Sequence, residues 1–246
     1  MTRLVVITRP KSQAGPIAAA LAERGFAVLI EPMLDIVALD EPLPALDRFG
    51  ALAFSSANAV VAVADRIRGC HLPVYTVGGS TAAALRDAGF GDIRTGPGDA
   101  EGLAALIHDS YDGRRPILHL SGREVARELS PLLRSAAIAV ERVAVYDAVA
   151  ADHLSAPLAA ALYARTIDSV LFFSARTAGV FGTLAVKSGL DGMTSGISAL
   201  CLSAAVARQA SALRWRAIGV AARPTTDAMI ALLAPIPYGA RGSADG

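Results

Sequence analysis

One device constrains the fold of this chain more than any other: an apolar run, a turn of small polar residues and a helical pattern, in that order and more than once. Ala51-Leu52-Ala53 leads into Phe54-Ser55-Ser56-Ala57-Asn58-Ala59-Val60. Ser169-Val170-Leu171-Phe172 leads into Phe173-Ser174-Ala175-Arg176-Thr177-Ala178-Gly179-Val180. Uninterrupted apolar runs bounded by turn residues are the pattern of strands buried on both faces. Strands that alternate with helices imply parallel sheets with crossover connections. Two further correspondences keep the order: Val77-Gly78 falls where Leu202-Ser203 falls, and Leu106-Ile107 where Leu232-Leu233 falls. The chain therefore reads as two similar α/β halves.

The remaining segments fit this scheme. Leu4–Thr8 is a first strand, followed by Arg9-Pro10 and by Ile17 and Leu21 at helical spacing, with a stop at Gly25. Val28–Ile30, Val74–Val77, Asp92–Arg94, Pro116–Leu120, Ala199–Leu202 and Ala217–Val220 read as strands. Helices are expected over Ala82–Ala88, Ala100–His108, Glu124–Ser135, Leu158–Arg165, Ala178–Lys187, Ala204–Leu213 and Thr226–Leu233. Met33–Leu39 and Val143–Ala148 alternate and read as half-exposed strands, and the tail 237–246, rich in Gly and Ala, as disordered. The restart of the pattern invites a sequential cut near Asp152.

Composition removes several functional classes. Of 246 residues 53% are hydrophobic and 5% aromatic, and the formal net charge is +1. Too few aromatics are present for a stacking platform, and no basic stripe runs along the chain, so no nucleic-acid partner is expected. Cys70 and Cys201 stand far apart and read as reduced thiols of a cytoplasmic protein. The apolar start ends at Arg9, too short for a signal peptide, and the uncharged stretches are too short and too polar for a membrane span. There is no P-loop, dinucleotide fingerprint or G-x-S-x-G elbow. His71, His108, His119 and His153 lack ligand spacing, so no metal is expected. His119 sits near a strand end, where a core or rim histidine is the common case.

In open parallel sheets ligands lie at the carboxyl ends of strands. Arg9, Ser55, Ser56, Asn58, Gly78, Gly79, Ser80, Thr81, Ser121, Gly122, Arg123, Ser174, Arg176, Thr177, Ser203, Thr225 and Thr226 fall there. Such small, hydroxylic and basic residues, with backbone N–H groups at helix starts, suit a phosphate or a carboxylate. Taken singly, each Ser, Thr or Asn is as well explained as a helix N-cap. Tyr146, in the second half-exposed strand, reads either as a proton or hydrogen-bond donor in a cleft or as an amphipathic interface residue. Neither Ser55 nor Ser56 has a base at a recognisable spacing.

Arg9-Pro10, Phe54–Val60, Val77-Gly78-Gly79-Ser80-Thr81-Ala82, Val145-Tyr146 and Phe172-Phe173-Ser174, in this order, resemble the uroporphyrinogen-III synthase family over about Arg3 to Leu233. The resemblance implies two α/β domains joined by a two-stranded linker. One is discontinuous, 1–34 with 152–236. The other, 40–142, is inserted, and 33–39 and 143–151 form the linker, a hinge on which the domains could close.

The implied reaction is cyclisation of hydroxymethylbilane, a linear tetrapyrrole with eight carboxylates, with inversion of the terminal ring and loss of water. No cofactor is implied. Tyr146 is the implied catalytic residue. The resemblance implies substrate binding at Thr81 and Ser174; with the residues of the strand ends the expected binding set is Arg9, Ser55, Ser56, Asn58, Gly78, Ser80, Thr81, Ser121, Gly122, Ser174, Ala175, Ser203, Thr225 and Thr226. A monomer is expected, with transient contact to the preceding pathway enzyme, because the substrate is unstable. One departure stands out. Where the family often has a Gly-Thr turn, this chain has Ser203-Ala204-Ala205-Val206. That change is the only hint for the alternative, a non-catalytic tetrapyrrole- or anion-binding module of the same fold.

Overall fold

The structure is a computed structural model, and it describes residues 2–125 and 127–233. The expected tail 237–246 and the end of the discontinuous domain, 234–236, lie outside the described residues. The chain divides into two compact units: Met1–Asp35 with the chain from Ala150 onward, and Ile36–Val149.

The first unit is built on β1 (Leu4–Ile7), β2 (Ala27–Ile30), β9 (Ile167–Phe172), β10 (Ser198–Cys201) and β11 (Ala217–Val220), in the spatial order β11-β10-β9-β1-β2. All neighbours are parallel. Two helices, α7 (Ala175–Lys187) and α8 (Ala204–Ala210), carry the chain from β9 towards β11, and α6 (Ala156–Tyr163) packs on the same face. The opposite face carries α1 (Lys11–Glu23) and α9 (Thr226–Ala231). Helices on both sides explain why Val5, Val6, Ile7, Val170, Leu171 and Phe172 are all buried. Phe172 meets Phe181 edge-on at 5.4 Å and Trp215 at 5.7 Å between ring centroids, in the geometry aromatic quadrupoles prefer.

The second sheet has the order β3-β8-β7-β4-β5-β6. Its strands are β3 (Leu34–Ala38), β4 (Ala51–Phe54), β5 (Val74–Thr76), β6 (Ile93–Thr95), β7 (Ile117–Gly122) and β8 (Val140–Ala150). On one face α2 (Ala57–Val63) and α3 (Gly79–Asp87) pack over Phe49, Leu52, Phe54, Leu118 and Leu120. On the other, α4 (Ala100–Ser110) and α5 (Leu129–Leu133) pack over Ala51, Ala53, Tyr75 and Ile117. Gly89 closes α3 in the left-handed region, at φ +89, which a side chain would strain.

The two sheets repeat one topology in permuted order. β9, β10 and β11 correspond to β4, β5 and β6, while β1 and β2 correspond to β7 and β8. In each unit the crossovers reverse direction at one point, between β1 and β9 or between β7 and β4. The crevice for a ligand in such a sheet lies beyond the strand ends at that point.

One expectation is corrected in detail. Glu124–Ser135 is not one helix: α5 covers only Leu129–Leu133 and ends in a 3₁₀ turn, Arg134–Ala136. Pro131 has no N–H to donate and is tolerated only in the first turn of a helix, which fits a start at Leu129. β8 begins before the linker strand expected over 143–151: Val140–Tyr146 pairs in parallel with β7, and β3 lies beside β8 at the edge of the second sheet.

Candidate functional site

In the second unit the reversal point is built by the ends of β4 and β7. The register sets Ala53 beside His119 and Phe54 beside Leu120. Ser55 therefore leaves β4 on the face that carries His119. Ser55 Oγ lies 3.1 Å from His119 Nε2. His119 is 1% exposed, and its Nδ1 has no hydrogen-bond partner among the described residues. Burial, reinforced by the nearby charge of Arg142, pushes its pKa down to about 4, so the ring is neutral at neutral pH. No base stands at a recognisable spacing from Ser55 in the sequence, and the fold brings one histidine beside it. The two residues lie 64 positions apart in sequence and meet only because β7 enters the sheet beside β4.

Arg142, which sequence reasoning did not single out, organises the end of β7. Its Nε donates to Ser121 Oγ at 2.9 Å, and its terminal nitrogens donate to the carbonyls of Gly122 (2.7 Å) and Arg123 (2.6 Å) and meet Glu128 at 3.2 Å. Ser121 in turn donates to the Gly122 carbonyl at 3.1 Å and is fully buried. It is a post inside the wall.

Above these strand ends opens a cleft of about 490 Å³, lined by Ser55, Ser56, Val77, Gly98, Asp99, Ala100, Glu101, Gly122, Glu124, Val125, Arg127 and Tyr146. Four expected residues thus meet: Ser55, Ser56, Gly122 and Tyr146. Ser56 caps α2, its Oγ accepting from Asn58 N at 3.1 Å. Asn58 stands half-buried in the first turn behind it. Gly78 is the N-cap residue before α3, bonded through its N–H to Thr76 Oγ1 at 3.2 Å, and a Cβ there would stand 3.4 Å from Gly98 Cα. Ser80 is exposed, whereas Thr81 is 1% exposed and turned into the core.

The first unit has a corresponding rim at the ends of β1 and β9. Arg9 stacks its guanidinium over Phe173, 4.6 Å from the ring centroid, and bonds Gln13 Oε1 through two nitrogens at 3.3 and 2.9 Å. Partial burial lowers its pKa. Ser174, Ser203 and Thr225 are N-caps, accepting from Thr177 N (3.1 Å), Val206 N (3.5 Å) and Ala228 N (3.2 Å). Ala175 opens α7 and lines a second cleft of about 470 Å³ with Arg176, Gly179, Thr183 and Gln209. Thr226 is the first residue of α9.

The family model for uroporphyrinogen-III synthase HemD (HEM4) matches residues 15–231. The chain belongs to the uroporphyrinogen-III synthase family. This family comprises cyclising lyases of heme biosynthesis. A uroporphyrinogen-III synthase of Synechococcus elongatus is 28% identical over 209 residues, 77% of each chain. The crystal structure of the Helicobacter pylori uroporphyrinogen-III synthetase superposes with a TM-score of 0.65 over 94% of this chain and 98% of that one, at 17% identity. A mutant uroporphyrinogen III synthase from the extremely thermophilic bacterium Thermus thermophilus gives 0.52 over 94% and 97%, at 14% identity. At such identities these two likenesses speak for the fold.

At the turn Ser203-Ala204-Ala205-Val206, Ser203 caps α8 with one lone pair, and its proton and second lone pair remain. Among the described residues no group of His, Cys, Asp and Glu could hold a metal ion, and no helix is long and apolar enough to cross a membrane.

Proposed function

We propose that this chain cyclises hydroxymethylbilane to uroporphyrinogen III, and that it does so chiefly by holding the substrate. The observation that carries this reading is the meeting of Tyr146 with Ser55, Ser56 and Gly122 in one cleft. A phenol that can give a proton stands among hydroxyls that can grip carboxylates.

The linear substrate closes by itself to the uninverted isomer. An enzyme therefore has to favour the inverting route, which calls for orientation and differential binding more than for a strong base or nucleophile. In this reading the Tyr146 phenol donates a proton or hydrogen bond to the departing hydroxyl of the substrate, which leaves as water. Ser55, Ser56 and the N–H groups beside Gly78 hold carboxylates in the second unit. Arg9, Ser174 and the start of α7 offer a charge and donors in the first, where Phe173 keeps the guanidinium flat. Thr81 and Ser121 contribute from behind, through packing. His119, whose enclosed ring resists a proton, does not serve as a base for Ser55.

The test is direct. The purified chain is incubated with freshly made hydroxymethylbilane and the isomers are separated after oxidation. Type III in excess of the spontaneous type I is the expected result, and type I alone overturns the proposal.

A further inference from the structure

The contact between His119 and Ser55 has a direction. A neutral imidazole carries one N–H. With the proton on Nδ1, a buried donor would have no partner, and the Ser55 hydroxyl would have to point inward to reach Nε2. With the proton on Nε2, the ring donates to Ser55 Oγ and the group left over is a lone pair. An orphaned buried N–H costs more than an under-used acceptor. The neighbours do not alter this. Arg142, beside His119 in the register of β7 and β8, spends its nitrogens on Ser121, Gly122, Arg123 and Glu128, and its charge opposes a second proton on the ring.

We propose that His119, as the Nε2–H tautomer, donates to Ser55 Oγ and thereby turns the Ser55 hydroxyl proton into the cleft, fixing Ser55 as a donor to a carboxylate of the substrate. Among the described residues Ser55 Oγ has no other partner, and Ser55 lines the cleft. A free serine presents a proton or a lone pair with equal ease. With one lone pair engaged from behind and its proton not spent on His119, it has the proton free for the cleft, which suits an acceptor-only group such as a carboxylate and spares the reorientation that binding would otherwise require. His119 is a positioning residue here, since it acts through Ser55.

The inference rests on the proposed activity for the identity of the ligand, but the tautomer does not. Long-range ¹H–¹⁵N correlation of the histidine rings at pH 7, assigned with His119→Gln, should show a protonated Nε2 and an unprotonated Nδ1 for His119. Protonated Nδ1 overturns the proposal. In the isomer assay, Ser55→Ala and His119→Leu should each raise KM about five- to tenfold, the loss of one charge-assisted hydrogen bond at a partly exposed site, with kcat within about twofold.

The double variant should be no worse than Ser55→Ala alone, because the two losses are one. His119→Gln, whose amide N–H can occupy the place of Nε2–H, should recover most of the affinity. Additive effects, or a Gln variant as poor as Leu, would show that His119 only fills space. A wild-type chain that yields only type I would remove the assigned activity and leave the ring nitrogens to decide the hydrogen bond.

Discussion

Gly122 is the floor on which Tyr146 lies. A Cβ on Gly122 would stand 2.7 Å from Tyr146 Cζ and 2.9 Å from its hydroxyl oxygen, closer than such atoms approach. The two residues are also partners in the register of β7 and β8, and the Tyr146 carbonyl accepts from Arg123 N at 2.8 Å. The backbone on both sides is tied, so a methyl group must displace the ring.

Gly122→Ala should therefore lower kcat through Tyr146 while the fold survives, with a stability cost of about 1–3 kcal/mol for overpacking. Tyr146→Phe should lower the rate severalfold without abolishing it, and its ring still packs on Gly122. The pair should be non-additive. Steady-state rates of type III formation for both variants and their combination check this. An unchanged rate in Tyr146→Phe removes the phenol from the mechanism.

Arg9 depends on its shape as much as on its charge. A planar guanidinium stacked on Phe173 and bonded twice to Gln13 cannot be replaced by an ammonium. Arg9→Lys should raise KM about fivefold with kcat little changed. Phe173→Leu, which keeps the charge and loses a stacking worth about 0.5–2 kcal/mol, should do the same to a smaller degree. A Lys variant with wild-type KM would place Arg9 outside the binding rim.

Much of this was legible in the chain and some was not, for identifiable reasons. The central strands announce themselves because both faces are covered: Ala51–Phe54 has no polar residue to misread. Ser56, Ser174, Ser203 and Thr225 were legible as caps because capping is local. Direction was not legible. Ser121 and Thr81 are as hydroxylic as Ser55, yet one lies inside the wall beside Arg142 and the other faces the core. Strand order was not legible either, since periodicity says which segments are strands and not which become neighbours. The pairing of β4 with β7, and with it the approach of His119 to Ser55, follows only from the return crossover.

The two thiols should behave differently towards a disulfide reagent. Cys70 is partly exposed, whereas Cys201 is buried in the core of the first unit, where desolvation raises its pKa to about 11. At pH 8 only about one Cys201 in a thousand carries the reactive thiolate. One equivalent should react promptly in the native protein and the second only after denaturant is added. Two fast equivalents would contradict the burial of Cys201.

The same burial that directs His119 makes the second unit sensitive to acid. Above about pH 6.5 the imidazole is neutral in folded and unfolded chains alike, and it exacts no penalty. Below that the unfolded chain takes a proton that the folded chain refuses until the pH nears 4. Folding stability should thus be complete above the unfolded pKa and decline as pH falls from about 6.5 towards 4, by up to about 3 kcal/mol from this residue. Carboxylates contribute their own slopes, so the comparison is with His119→Gln, which has no proton to gain. Amide-exchange protection of β4 and β7 should fall more steeply with acid in the wild type than in the variant. Parallel curves would mean that His119 takes up its proton in the folded chain at an ordinary pH, and that its ring is not enclosed.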